Sequence, residues 1–248
     1  MTHLVGNYPN PKGFQESLQA MFEYDENGVD YLEIQLPFKN PLVDGALIYQ
    51  ANLQAISYHI DYNNLLNSIN KPQGCRTKLI LMSYLTPVQV IGFEKLCIAL
   101  AKKDFYGFII PDLIFGSPEQ KTLSLLCNKY NLVLIPVISP VTNNERLEVI
   151  SSELKLGQVI YAMARFGKTG EETELLKIQN YIDRLKLQLK DFEIAVGFGI
   201  KEPEQVKYLN QQNLIAIIGT EIVKQINNAS FNNNSTKNSI TQYLQTLN

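Results

Sequence analysis

Short, β-branched apolar runs alternate with longer amphipathic stretches from one end of the chain to the other. That rhythm is the mark of βα units feeding a parallel sheet. The apolar runs are Leu4 to Gly6, Tyr31 to Ile34, Lys78 to Met82, Gly107 to Ile110, Leu132 to Ile135, Val159 to Met163, Glu193 to Val196 and Leu214 to Ile218. They number about eight, the strand count of a closed (β/α)8 TIM barrel. Between them, Gln15 to Tyr24 sets Leu18, Met21 and Phe22 at helical spacing, and Phe93 to Ala101 does the same with Leu96, Cys97 and Leu100. Pro87, Pro118 and Pro203 stand near the starts of helices, where a missing N–H costs nothing. These stripes read as core packing.

Two stretches break the rhythm. Asn227 to Ser235 is rich in Asn and Ser and reads as a mobile surface loop before a last helix, Ile240 to Leu247. The second is the long connection from Gln35 to Gly45, with Pro37, Asn40, Pro41, Asp44 and Gly45. A loop of that length after a barrel strand is more often functional than not.

Composition narrows the chemistry. The 248 residues carry 22 Lys and Arg against 24 Asp and Glu, and a pI of about 5.8 gives no electrostatic footprint for a nucleic-acid backbone or an anionic membrane. The length suits a single domain over residues 1–248. No apolar run approaches the roughly 18 residues of a membrane helix, and no signal peptide opens the chain, so a cytoplasmic protein is expected. Cys75, Cys97 and Cys127 are odd in number and far apart in sequence, which indicates small core residues or exposed thiols and neither a disulfide framework nor a zinc site. With His3 and His59 alone, a histidine-rich metal site or a Ser-His-Asp relay is hard to build. Acid–base work is therefore expected from carboxylates, lysines or tyrosines.

Reacting groups of a parallel barrel stand at the carboxyl ends of strands and on the following loops. Glu33 lies within an apolar strand, and alternation with Leu32 and Ile34 turns its carboxylate toward the barrel interior if those neighbours face the helices. A desolvated carboxylate there suits general acid–base catalysis; the competing reading is a structural Glu paired with a lysine. Asp44, before Gly45, would by itself be a turn aspartate, but its loop follows the Glu33 strand and can fold back over the mouth. Glycines close three late strands, in Arg165 to Gly170, in Gly197-Phe198-Gly199-Ile200 and in Gly219-Thr220-Glu221. A helix starting at Thr220 would direct free N–H groups and its dipole at a phosphate.

These residues resemble one family. Leu32 to Gly45, with Ile48 and Gln50 to Asn52, is similar to the signature of the tryptophan synthase alpha chain. The likeness continues, in order, through Leu81 to Tyr84, Pro111-Asp112-Leu113, Arg165 to Gly170, Gly197 to Ile200, Pro203 to Val206 and Gly219-Thr220. The resemblance implies a (β/α)8 barrel that cleaves indole-3-glycerol phosphate to indole and glyceraldehyde 3-phosphate with no metal or organic cofactor of its own. It implies Glu33 as general acid/base and Asp44 as the group that holds the indole N–H. It places Tyr161 at the family's active-site tyrosine, and Tyr84, Ile48 and Phe198 around the indole. Backbone groups of Gly170, Gly199, Gly219 and Thr220 would hold the phosphate, and Thr169 would sit on a closing lid that meets the loop aspartate. The implied partner is a pyridoxal-phosphate beta chain in an α2β2 complex, which takes up the indole.

Several positions depart from the pattern. Lys39-Asn40-Pro41 replaces the usual Ser-Asp-Pro on a loop the family offers to its partner; Gln35 replaces a glycine, Ala46 a proline and Ile114 a proline. Gly219-Thr220 stands for Gly-Ser and keeps the hydroxyl. The first strand begins almost at Met1, where the family usually has a preceding helix, so a barrel with a shortened N-terminus is expected. Two other readings remain open here: a mainly non-catalytic activator of the beta chain, and a stand-alone phosphate-binding barrel enzyme.

Overall fold

Parallel pairing runs through every strand ladder of the protein. The computed structural model describes residues 1–25, 28–163, 172–197 and 199–247. Its strands are β1 (Thr2–Val5), β2 (Tyr31–Gln35), β3 (Lys78–Met82), β4 (Phe105–Ile109), β5 (Val133–Ile135), β6 (Val137–Ile138), β7 (Val159–Met163), β8 (Glu193–Gly197) and β9 (Ile215–Ala216). The helices are α1 (Pro11–Glu23), α2 (Ala46–Ile56), α3 (Tyr62–Ser68), α4 (Leu85–Ile91), α5 (Phe93–Lys102), α6 (Pro118–Tyr130), α7 (Asn144–Ser152), α8 (Glu172–Gln188), α9 (Pro203–Gln211), α10 (Thr220–Phe231) and α11 (Thr236–Thr246).

Strand order is β1-β2-β3-β4-β5 in one ladder and β6-β7-β8-β9 in the other. The two ladders are one barrel interrupted at Pro136, the residue between β5 and β6, which has no N–H to give. Counting β5 and β6 as one stave gives the expected eight staves. Closure occurs at the first strand: Thr2 bridges Ile218, the Ile218 N–H donates to the Met1 carbonyl over 3.0 Å, and the Met1 amine donates to the Ala216 carbonyl over 2.8 Å. Among the described residues, no helix is long and apolar enough to cross a membrane.

Alternation divides the strands as a barrel requires. Tyr31, Ile80, Met82, Ile109, Ile135, Val159, Ala195 and Ile217 meet inside it. Leu32, Ile34, Leu79, Leu81, Phe108, Ile160 and Val196 point outward and pack beneath Phe14, Leu18, Met21, Leu96 and Leu100 of the helices. The outer layer is the larger apolar store, and it fixes which face of each strand turns inward.

Local chemistry sets the helix ends. α1 begins ahead of the Gln15 stripe because the Asn10 side chain accepts from the Gly13 N–H and Pro11 occupies the first turn. Pro118 and Pro203 open α6 and α9 in the same way. The expectation of a loop over Asn227 to Ser235 is corrected. α10 runs to Phe231, because Ile222, Val223, Ile226 and Ala229 form a buried stripe while Asn227 and Asn228 face away from it. The connection shrinks to Asn232–Ser235, where Asn233 takes a left-handed φ of 54° and Ser235 caps α11. Cys97 and Cys127 are buried with free thiols, and Cys75 is half-buried.

Candidate active site

The site follows from the register of the first two strands. His3 pairs with Glu33, and Glu33 with Ile80, an interior residue. Partners in a parallel register share a face, so both the imidazole and the carboxylate enter the barrel. Glu33 is 3% exposed and His3 is 5% exposed. Nδ1 of His3 lies 3.0 Å from Oε1 of Glu33. The structure thus bears out the inward direction of Glu33, sets aside the competing lysine pairing because its partner is a histidine, and corrects one expectation: the sequence points to carboxylates, lysines and tyrosines for acid–base work, yet His3 belongs to the cluster. Sequence order hides this contact, since the two residues are 30 positions apart. Its one local signal is His3 alternating with outward-facing Leu4 on an interior strand.

Asp44 does return over the mouth. Its Oδ2 accepts from Nε2 of Gln35 at 2.7 Å and from Nδ2 of Asn52 at 3.3 Å, and its Oδ1 accepts from the Tyr84 hydroxyl at 3.2 Å. The Asn52 side chain is itself held by the Phe38 N–H and by the Ile48 carbonyl, which ties the loop to α2. Burial pushes the Asp44 pKa up; Gln35, the charge on His3 and the Tyr84 hydroxyl oppose that shift, and Glu33 adds to it. Three neutral donors around one carboxylate favour its ionised form, and Oδ1, with one donor, keeps room for another N–H.

Tyr84 is 1% exposed at the cap of α4, stacked at a tilt on Phe38 with centroids 5.6 Å apart. Its hydroxyl also accepts from the Val43 N–H at 3.2 Å, so it braces the Asp44 loop. Tyr161 enters from β7 on the far side of the barrel. Burial raises its phenol pKa well above the ordinary value, and the carboxylates of Glu33 and Asp44 add to that shift.

The anion-binding candidates lie beside His3. Gly219 precedes Thr220 at the N-terminus of α10, and a Cβ built on it would sit 3.4 Å from the His3 Cβ and 3.9 Å from Cδ1 of Ile48. Gly199, exposed and at a φ of 79°, has nothing within 4 Å of such a Cβ. Phe198, Thr169 and Gly170 lie outside the described residues, as does the rest of the Arg165 to Gly170 segment. Three buried polar atoms at the centre of the site, Nε2 of His3, Oε2 of Glu33 and Oε1 of Gln35, have no hydrogen-bond partner among the described residues. Buried polar atoms are rarely left so in groups, and a polar substrate would satisfy them. Gln35, Asn52 and Phe38 were not read as site residues from sequence; each acts by holding Asp44 or its loop.

Strand arrangement defines a (β/α)8 barrel, with Glu33 inside it and Asp44 on the loop that follows the same strand. The family model for the tryptophan synthase alpha chain matches residues 1–248. A tryptophan synthase alpha chain from Desulforapulum autotrophicum is 31% identical over 231 residues, covering 92% of this chain and 88% of its own length. One from Cyanidioschyzon merolae is 35% identical over 204 residues, covering 81% of each chain. In a solved tryptophan synthase complex from Pyrococcus furiosus, one chain superposes with a TM-score of 0.80 at 18% identity, over 99% of this chain and 95% of that one. This chain belongs to the tryptophan synthase alpha chain family, whose members cleave indole-3-glycerol phosphate in a lyase reaction.

Proposed function

We infer that Glu33 and Asp44 carry that lyase step in this chain. Breaking the bond between indole C3 and the glycerol side chain requires one proton placed on C3 and one removed from the adjacent hydroxyl. The C–C bonding electrons then return to the ring as the hydroxyl carbon becomes an aldehyde. Glu33 serves as the acid that protonates C3 and then as the base that takes the hydroxyl proton. Asp44 accepts the indole N–H and stabilises the positive charge that develops on the ring when C3 is protonated. Tyr84, Tyr161 and Ile48 surround the indole, with Phe198 assigned to the same slot by its place in the sequence. Gly199, Gly219 and Thr220, with Gly170 and Thr169 from the same comparison of motifs, hold and cover the phosphate. The phosphate is remote from the breaking bond, so its binding energy serves to position the ring. One observation carries the reading: a carboxylate, Glu33, is buried on the interior face of β2, and a second, Asp44, on the loop leaving that strand, is bonded back to its last residue, Gln35.

The proposal extends to the setting. No metal or organic cofactor is needed from this chain, and pyridoxal phosphate would belong to a beta chain that consumes the indole. Exposed Leu42, Ile114 and Val141 stand on the loops after β2, β4 and β6, all on the mouth side, and offer apolar contacts for that beta chain in an α2β2 assembly. The protein works in the cytoplasm as a single domain. Indole release from indole-3-glycerol phosphate, measured with and without the beta chain for wild type and Glu33→Gln, tests the reading. Glu33→Gln is expected to lower the rate by about a hundredfold or more; no release from wild type in the presence of the partner overturns the assignment.

A further inference from the structure

We propose that His3 is the positioning residue of the lyase carboxylate, its imidazole holding Oε1 of Glu33 so that Oε2 is presented to the substrate. The inference rests on the role given to Glu33 above. Its ground is geometric. β1 and β2 place the two side chains in direct register, Nδ1 sits 3.0 Å from Oε1, both residues are buried, and Oε2 has no partner among the described residues. A carboxylate bonded through one oxygen has a fixed plane and a fixed free lone pair, which is what proton delivery to a ring carbon requires.

The surroundings of His3 also fix its charge behaviour. β2 presents Glu33 and the Gln35 amide, and the loop after β2 presents Asp44. The N-terminal end of α10 brings Gly219, and α2 brings the apolar Ile48. Glu221, the acidic residue in the first turn of α10, is engaged by Lys224 and Gln225. Burial alone would lower the imidazole pKa, but the charge and hydrogen bond of Glu33, the charge of Asp44 and the Gln35 side chain outweigh it, and the net direction is up. The pair therefore shares one proton at a pH where a free imidazole would already have lost it. The proton delivered to indole C3 leaves from Oε2 of Glu33, the oxygen that His3 leaves free, and the proton taken from the glycerol hydroxyl returns to that oxygen, so the count closes over one turnover.

Two measurements test this on the chain in complex with its beta partner. In the first, indole release is followed against pH for wild type, His3→Leu and His3→Asn. His3→Leu is expected to lower kcat about tenfold to a hundredfold with KM little changed, and to move the alkaline limb of the profile, where the pair loses its proton, to lower pH. His3→Asn keeps a donor near Oε1 and should regain part of kcat without restoring that limb. A merely structural histidine would lower the folded fraction and leave the limb in place. The second measurement needs no turnover: the imidazole titrations of His3 and His59 are followed by NMR in wild type and Glu33→Gln. The His3 pKa is expected to fall on removing the Glu33 charge while His59 stays put. Unchanged kcat and pH limb in folded His3→Leu, or a His3 titration indifferent to Glu33→Gln, overturns the proposal. A coupled titration with no indole release from wild type overturns instead the lyase role of Glu33, and the catalytic meaning of the pair with it.

Discussion

Nε2 of Gln35 donates to Oδ2 of Asp44 across 2.7 Å, from the end of β2 to the loop that leaves it. Gln35 stands at a position where the resemblance led one to expect glycine, and a glycine could not make this bond. The residue that ends the Glu33 strand thus also orients the second carboxylate. Gln35→Leu removes a donor that holds the Asp44 pKa down against burial, so that pKa rises further and the acid limb of kcat/KM should move to higher pH. A hydrogen bond to a charged group is worth about 1.5–3 kcal/mol, hence a fall in kcat/KM of roughly tenfold to a hundredfold. The stability effect has a definite sign. Below the ordinary carboxylate range both states are protonated and the variant's deficit is small; it grows as pH rises through the folded pKa of Asp44 and then levels off. Urea titrations at several pH values read this directly.

Tyr84 joins the loop to the barrel by two bonds through one oxygen, donating to Asp44 and accepting from the Val43 N–H. Tyr84→Phe keeps the ring stacked on Phe38 but leaves both groups without that partner. A loss of about 1–3 kcal/mol in unfolding free energy is expected. A rise in KM should accompany it, because a loosened Asp44 loop holds the indole N–H less well. Stability and KM changing together support the bracing role; a change confined to kcat would assign the hydroxyl to the chemistry instead.

The backbone at Gly219, with φ −107° and ψ −68°, is open to any residue, so an added methyl group is felt through space rather than strain. It would lie 3.4 Å from the His3 Cβ, a contact that a small shift relieves. Gly219→Ala should therefore fold normally and intrude on the N-terminal end of α10. KM for indole-3-glycerol phosphate is expected to rise about tenfold, equivalent to roughly 1.4 kcal/mol, with weaker competitive inhibition by inorganic phosphate. An unchanged KM would remove Gly219 from the phosphate site.

Most of the barrel, and one half of its site, could be read from local pattern. Alternation around Glu33 is local, and it turned the carboxylate inward because Leu32 and Ile34 have helices to bury them. The Asp44 loop announced itself by length. His3 did not, because its meaning lies in a register between strands 30 residues apart, and a short sequence window carries no register information. Gln35 and Asn52 escaped for a similar reason: amides that orient a carboxylate leave no spacing signature. The Asn-rich end of α10 misled in the opposite way. Its exposed face dominates the composition there, while the stripe of Ile222, Val223, Ile226 and Ala229 that holds the helix in place is spread thinly through it.

That stripe makes a discriminating test possible. Asn228 is inside α10 and exposed, so its side chain has little packing to lose, yet its backbone belongs to the helix. Asn228→Pro removes an interior N–H and sets the ring against the preceding turn, which costs about 3 kcal/mol. Were the segment a loop, the same substitution would be close to neutral. Asn228→Ala is the control: it keeps the N–H and raises helix propensity by up to about 0.7 kcal/mol, so it should stabilise slightly. Because α10 also begins at the phosphate candidates and packs on β1, the helix behind His3, Gly219 and Thr220 is the same one the proline would break. Denaturant unfolding of the two variants gives the free energies, and phosphate inhibition measured on the folded fraction of Asn228→Pro shows whether the damage reaches the far end of the helix. A destabilised variant with unaltered phosphate binding would mean that the first turn of α10 is held by β1 and α2 rather than by the rest of its own helix.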